Sequence, residues 1–239
     1  MARFPIPFRP AIASLTAVIL LALCPAETKA QETEYNMELG VLGGGCFYMG
    51  DANTSKPFLE TNSAVGILAR YNINPRMVVK ADLARGIIAG STANTKNKFP
   101  SDEPIAFRRN IYELGFQGEY NFFAYGTGEG YKDSHRLTPY ILAGVGFTFA
   151  PKPAENVFAA NFPIGVGVKY KLAPRLNVGA EWTFRFCTSD KLDVTNTEGL
   201  QLADPYGIRS GFLKNKDTYS FFIAYISYDL FAKDCHCND

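Results

Sequence analysis

LNVGAEWTFRFC, residues 176–187, decides the fold class. In an extended chain Leu176, Val178, Ala180, Trp182, Phe184 and Phe186 share one face, and Asn177, Gly179, Glu181, Thr183 and Arg185 share the other. A helix would gather these residues on no single side, whereas a strand alternates them by construction. The stretch therefore predicts a long strand with one apolar and one polar face.

The same period of two recurs along the chain. Met37, Leu39, Val41, Phe47 and Met49 oppose Glu38, Gly40, Gly44 and Tyr48, and Val65, Ile67, Ala69 and Tyr71 oppose Gly66 and Arg70. Met77, Val79, Ala81 and Leu83 oppose Lys80 and Asp82, and Tyr112, Leu114, Phe116, Tyr120 and Phe122 oppose Glu113, Gln117 and Glu119. Phe162, Ile164, Val166, Val168 and Tyr170 oppose Gly165, Gly167 and Lys169. The stretches 138–149 and 218–231 are apolar on both faces, so their orientation is open. The pattern predicts eight strands.

Such strands suit a soluble sandwich, apolar side inward, or a transmembrane barrel, apolar side toward lipid. Three features favour the barrel. Short links (NINPR at 72–76, KLAPR at 171–175) alternate with long ones at 50–62, 89–108, 150–161 and 188–217, as in an up-and-down barrel; the link 123–137 is long where a short turn is expected. The polar faces combine glycine with opposite charges: Arg70, Lys80, Asp82, Glu113, Glu119, Lys169, Glu181 and Arg185. An eight-stranded lumen is just wide enough for side chains, and charges placed there must pair. The last strand closes on Ser227-Tyr228-Asp229-Leu230-Phe231, similar to the terminal aromatic signal of outer-membrane insertion, although a polar tail follows it. The expected fold is an all-β, eight-stranded antiparallel up-and-down transmembrane β-barrel of the OmpA-like kind, with no aqueous pore.

Composition fits this reading. The 239 residues carry a net charge of +1, which argues against a nucleic-acid binder. The aromatic excess (19 Phe, 13 Tyr, 1 Trp) suits strands and interfacial girdles. The mean hydropathy of −0.07 resembles that of a soluble protein only because an average merges each lipid-facing residue with its lumen-facing neighbour. Residues 1–30 read as a signal peptide: Arg3 and Arg9, the apolar run Ala11–Leu23, and Thr28-Lys29-Ala30 before a cleavage point at Gln31. A lipoprotein signal ending at Cys24 is the rival, disfavoured by the large Leu23 before the cysteine. The barrel is then assigned to 31–231 and a short periplasmic tail to 232–239, in a mature chain of 209 residues. No run of about 18 apolar residues remains for a membrane helix.

Little in the chain suggests chemistry. The two histidines, His135 and His236, fall at the periplasmic side of this topology, so a hydrolytic triad at the outer rim has no histidine. Gly43-Gly44-Gly45 and the alternate glycines 126, 128 and 130 open no helix after a strand, so they are not phosphate loops. No catalytic, cofactor-binding or metal site is assigned. Cys235-His236-Cys237 offers three crowded ligands where a zinc site wants four; a plain tail, a disulfide or partner cross-link, and a metal site stay open. Cys46 and Cys187 lie on strands one and seven, and a bond across the lumen stays open too.

Several stretches resemble one family in order and spacing: Tyr35–Asp51 (YNMELGVLGGGCFYMGD), Arg70–Arg76 (RYNINPR), Glu119–Tyr125 (EYNFFAY), Pro139–Phe147 (PYILAGVGF), Pro163–Lys169 (PIGVGVK), Glu181–Arg185 (EWTFR) and Thr188–Val194 (TSDKLDV). They resemble the Bacteroidetes outer-membrane barrel family that includes PorG of the type IX secretion system. The resemblance implies a non-enzymatic barrel with both termini in the periplasm, in contact with outer-membrane lipid and anchoring a periplasmic ring of PorK- and PorN-like proteins. The expected partner contacts are Tyr125, Glu129 and Tyr131 in the odd link and Cys235 and Cys237 in the tail. The alternative is a structural or adhesive OmpA-like barrel that works through its outer loops 89–108 and 188–217.

Overall fold

In a computed structural model, the described residues are 35–49, 58–91, 93, 106–128, 133–151, 155–189, 191–193 and 217–232. The signal segment, most of the tail and much of the long loops lie outside them. The described residues belong to one compact unit, Glu32–Asp239.

Eight strands follow in chain order: β1 (Tyr35–Met49), β2 (Asn62–Asn72), β3 (Met77–Ser91), β4 (Ala106–Asn121), β5 (Leu137–Ala150), β6 (Val157–Ala173), β7 (Leu176–Cys187) and β8 (Thr218–Ala232). Each pairs antiparallel with its sequence neighbour, and β8 returns to β1, closing the barrel. The register around the wall runs Met37, Tyr71, Val79, Gly118, Ala143, Ile164, Phe184 and Ser220, then reaches β1 again at Phe47, ten residues above the start. A shear of ten over eight strands implies a tilt of roughly 40°.

Strand burial alternates cleanly on β4, from Ala106 exposed and Phe107 buried through to Asn121. The sense is reversed relative to a soluble protein. Leu39, Val41, Ile67, Val79, Leu83, Leu114, Phe116, Ile164, Val166 and Ile226 are exposed, while Glu38, Arg70, Lys80, Glu113, Glu119, Lys169, Glu181 and Arg185 are buried. This is the distribution of a membrane-spanning barrel. Outward aromatics bracket the apolar band: Tyr71, Tyr120, Tyr170 and Tyr228 toward the short-turn end, and Tyr112, Phe147, Phe149, Phe158 and Phe186 toward the long-loop end. Eight residues separate Tyr120 from Tyr112 on β4, a height of roughly 20 Å at this tilt. That approaches the band of about 25 Å found in outer-membrane barrels.

Three expectations need correction. The link expected at 150–161 shrinks to 151–156, because β5 and β6 extend toward each other: Phe158 stays exposed and Ala159 and Asn161 stay buried, so the alternation continues through NFP. The aromatics are not confined to girdles, since Tyr48, Tyr140, Tyr219, Tyr225, Phe107 and Phe221 are buried in the lumen. The doubly apolar strands were therefore unreadable from hydropathy alone, because their inner faces carry rings. Finally, a bond between Cys46 and Cys187 is excluded. Both are free. Phe221 on β8 pairs with Cys46 on one side and Thr183 on the other, and Cys187 stands four residues beyond Thr183. The rise of about 13 Å along the strand far exceeds disulfide reach.

Candidate functional site

The lumen divides into two layers. Toward the short turns lies a network of ion pairs centred on Arg70. Its Nη1 donates to Glu38 Oε1 at 2.8 Å and its Nε to Glu119 Oε1 at 2.9 Å. The guanidinium lies 4.2 Å from the centroid of the Tyr225 ring. Lys80 Nζ donates to both Glu181 oxygens at 2.7 and 2.8 Å, and the Tyr140 hydroxyl donates to Glu181 Oε2 at 3.0 Å. Lys169 Nζ donates to Glu119 Oε2 at 3.3 Å, so one carboxylate serves two cations. Beside it Lys171 Nζ donates to Asp229 Oδ2 at 2.6 Å, and Asn177 Nδ2 donates to Asp229 Oδ1 at 2.8 Å. Nearer the middle, Arg185 Nε donates to both Glu113 oxygens at 3.0 and 3.2 Å, Tyr219 donates to Glu113, and Gln117 Nε2 donates to Asp82 Oδ1 at 2.6 Å.

All eight charged residues of the expected polar cluster thus face the lumen and are buried, in two groups. Seven share ion pairs; Asp82 is held by Gln117 instead. Four further buried strand charges lie outside the expected cluster: Glu38, inside the first expected strand; Asp229, inside the last, whose two apolar faces leave its orientation open; and Lys171 and Arg109, just beyond expected strand ends. Strand parity extended by two residues reaches Lys171 and Arg109. Every cation of the network is held by a carboxylate.

Toward the long loops the lumen becomes apolar, packed with Cys46, Ile88, Phe107, Ile111, Val157 and Phe221. Leu192, from the segment after β7, is fully buried among them. Arg109 fastens this lid. Its Nη2 donates to the Ala150 carbonyl at 2.8 Å and also to that of Glu155, its Nη1 donates to Lys191 O at 2.9 Å, and its Nε donates to Pro151 O at 3.3 Å. One guanidinium therefore ties the β5–β6 link and the segment after β7 across the mouth. The Tyr48 hydroxyl lies 2.6 Å from Asp217 Oδ1 and 3.0 Å from Asp193 Oδ2, and Leu192 N donates to Asp217 Oδ2 at 2.8 Å.

The short-turn mouth has its own closure. The link between β4 and β5 folds back on itself: His135 N donates to Ala124 O at 2.7 Å and Gly126 N donates to His135 O at 3.1 Å. This places Tyr125 over the opening, where its hydroxyl donates to Asn177 Oδ1 at 2.8 Å and its ring lies 5.1 Å from Lys169 Nζ and 5.3 Å from Lys171 Nζ. Burial pushes the Tyr125 hydroxyl well above the ordinary tyrosine range, so it stays a donor. Tyr125, an expected partner contact, is half-buried and engaged with the barrel's own interior. Glu129, Tyr131, Cys235 and Cys237 lie outside the described residues.

Residues 14–239 match the model of a domain of unknown function, DUF6089. The chain belongs to the DUF6089 family. No curated protein matches the sequence. Among solved structures, this DUF6089 chain is similar to Neisserial surface protein A (16% identity, 81% of this chain and 97% of that one, TM-score 0.47). It is similar to the N-terminal β-barrel domain of Pseudomonas aeruginosa OprF (11% identity, 83% and 100%, TM-score 0.47) and to Ail, the attachment invasion locus protein of Yersinia pestis (12% identity, 83% and 99%, TM-score 0.43). The fold of the DUF6089 chain rests on its own register and burial, given above.

Proposed function

We propose that this protein is a non-enzymatic barrel of the outer membrane, with its short turns and both termini in the periplasm. The observation that carries the reading is the inverted polarity of a closed barrel: apolar side chains outward on every strand and buried ion pairs within. A lumen filled by side chains and lidded at both mouths suits a scaffold better than a channel.

Within that reading the role proposed is a PorG-like component of the type IX secretion system that anchors PorK- and PorN-like ring proteins. The sequence resemblance supports it, and so does the ordered link at the short-turn end. There the exposed Phe122, Phe123, His135 and Arg136 stand on a hydrogen-bonded base. Replacing residues 127–134 by a Gly-Ser linker of equal length leaves Tyr125 in place and removes the expected contacts Glu129 and Tyr131. Co-purification of ring proteins from outer membranes should then fall. Undiminished association would refute the contact. The second reading is an OmpA-like structural or adhesive barrel acting through its outer loops; normal export of type IX cargo in a deletion strain would favour it.

A further inference from the structure

The eight strands carry fourteen charged residues, and all but Arg85 and Arg108 are buried in the lumen. Those two face outward on neighbouring strands. Arg85 on β3 pairs with Tyr112 on β4, and Arg108 on β4 pairs with Ala89 on β3. Asn110 stands between them, opposite Ile87, and accepts from Arg85 Nη2 at 3.2 Å. The result is a polar strip of two cations on a wall whose outward strand positions hold no carboxylate. Its height is set by the register: Arg85 is level with the upper aromatic band through Tyr112, over whose ring its guanidinium sits at 6.0 Å. An arginine facing lipid costs about 2–4 kcal/mol at the midplane and falls to about 0–1 near the interface.

Directly below Arg85, a groove of about 360 Å³ runs down the outer wall. Ala69 and Ala81, paired across β2 and β3, make its floor, and Leu39, Ile67, Leu83 and Leu114 make its sides. Leu83 is two residues below Arg85 on β3, so the groove ends under the guanidinium. An apolar channel with Arg85 at its upper end, and Arg108 four residues higher along the wall than Tyr112, is complementary to a lipid whose acyl chain lies along the wall and whose phosphate sits at the interface. The guanidinium fork matches phosphate geometry, and its N–H groups bind more tightly to a charged acceptor than to a neutral one.

We propose that this part of the β3–β4 wall binds a phosphorylated, acylated glycolipid of the outer leaflet, with phosphate on Arg85 and Arg108 and an acyl chain in the groove. The proposal rests on the outer-membrane placement above, which puts the long-loop end outside. The test uses the full chain folded in neutral maltoside detergent, with diphosphoryl lipid A as probe and native mass spectrometry as readout. Heat-modifiable migration is checked first, and a preparation that does not shift overturns the placement and the site together. In a preparation that shifts, wild type should retain lipid A over its dephosphorylated form. Arg85→Gln with Arg108→Gln should weaken retention about tenfold or more, and Arg85→Lys with Arg108→Lys, which keeps the charge without the fork, should fall between the two. Ala81→Phe, which fills the groove, should lower retention with both arginines in place. Heat-modifiable wild type that holds lipid A no better than the dephosphorylated form overturns the site alone. Equal retention by the double glutamine variant, or equal competition by phosphatidylglycerol or inorganic phosphate, does the same.

Discussion

At the scale of single residues, the lumen behaves as one electrostatic object. Glu119 holds Arg70 and Lys169 together, both fully buried. Glu119→Gln leaves two buried cations short of a partner, so a loss of roughly 3–5 kcal/mol is expected, read as a lower urea midpoint for the folded band on a gel. Lys80→Met should behave similarly, because Glu181 would keep only Tyr140 and a distant Arg70 contact at 3.9 Å. Tyr125 separates packing from hydrogen bonding. Tyr125→Phe removes the donor to Asn177 and should cost about 1 kcal/mol, whereas Tyr125→Ala also uncovers the mouth and should cost about 2–4 kcal/mol in the same assay. The partners of these residues were not legible in the sequence. Period two told which side chains face inward, but Glu181 meets Lys80 across the lumen, from strands that are not neighbours.

At the scale of strands, two glycines at one cross-strand site test which face is crowded. Gln117 pairs with Gly144 and Gly118 pairs with Ala143. A Cβ on Gly144 would collide with the Phe116 carbonyl oxygen, a backbone atom that cannot step aside. A Cβ on Gly118 meets nothing nearer than Ala143 O at 3.9 Å. Gly144→Ala should therefore destabilise the barrel by about 1–3 kcal/mol and Gly118→Ala by much less, measured by urea titration of heat-modifiable migration. Alternation made most strand cores readable. It failed at the start of β6, where Asn161 resembles a turn residue but continues the wall. Asn161 does so because its side chain has a place inside: its Nδ2 donates to Thr148 Oγ1 at 2.7 Å.

At the scale of the molecule, the two closures predict a barrel without conductance. In planar bilayers the purified protein should give no stable channel, since Tyr125 covers one mouth and Leu192 fills the other. Arg109→Leu removes the tie on the last carbonyl of β5 and on three loop carbonyls and should increase proteolytic cleavage of the long loops without changing heat-modifiable migration. The sequence by itself determined the strand count, the antiparallel meander and the inward direction of the eight cluster charges, because a period of two and the cost of unpaired charge are local properties of the chain. Only the tertiary structure decided who pairs with whom, that ion pairs fill the lumen below while an apolar layer capped by Arg109, Asp193 and Asp217 fills it above, and that Arg85 stands over a groove. These follow from closure with a shear of ten, which sets residues from distant strands at the same height and which no local pattern encodes.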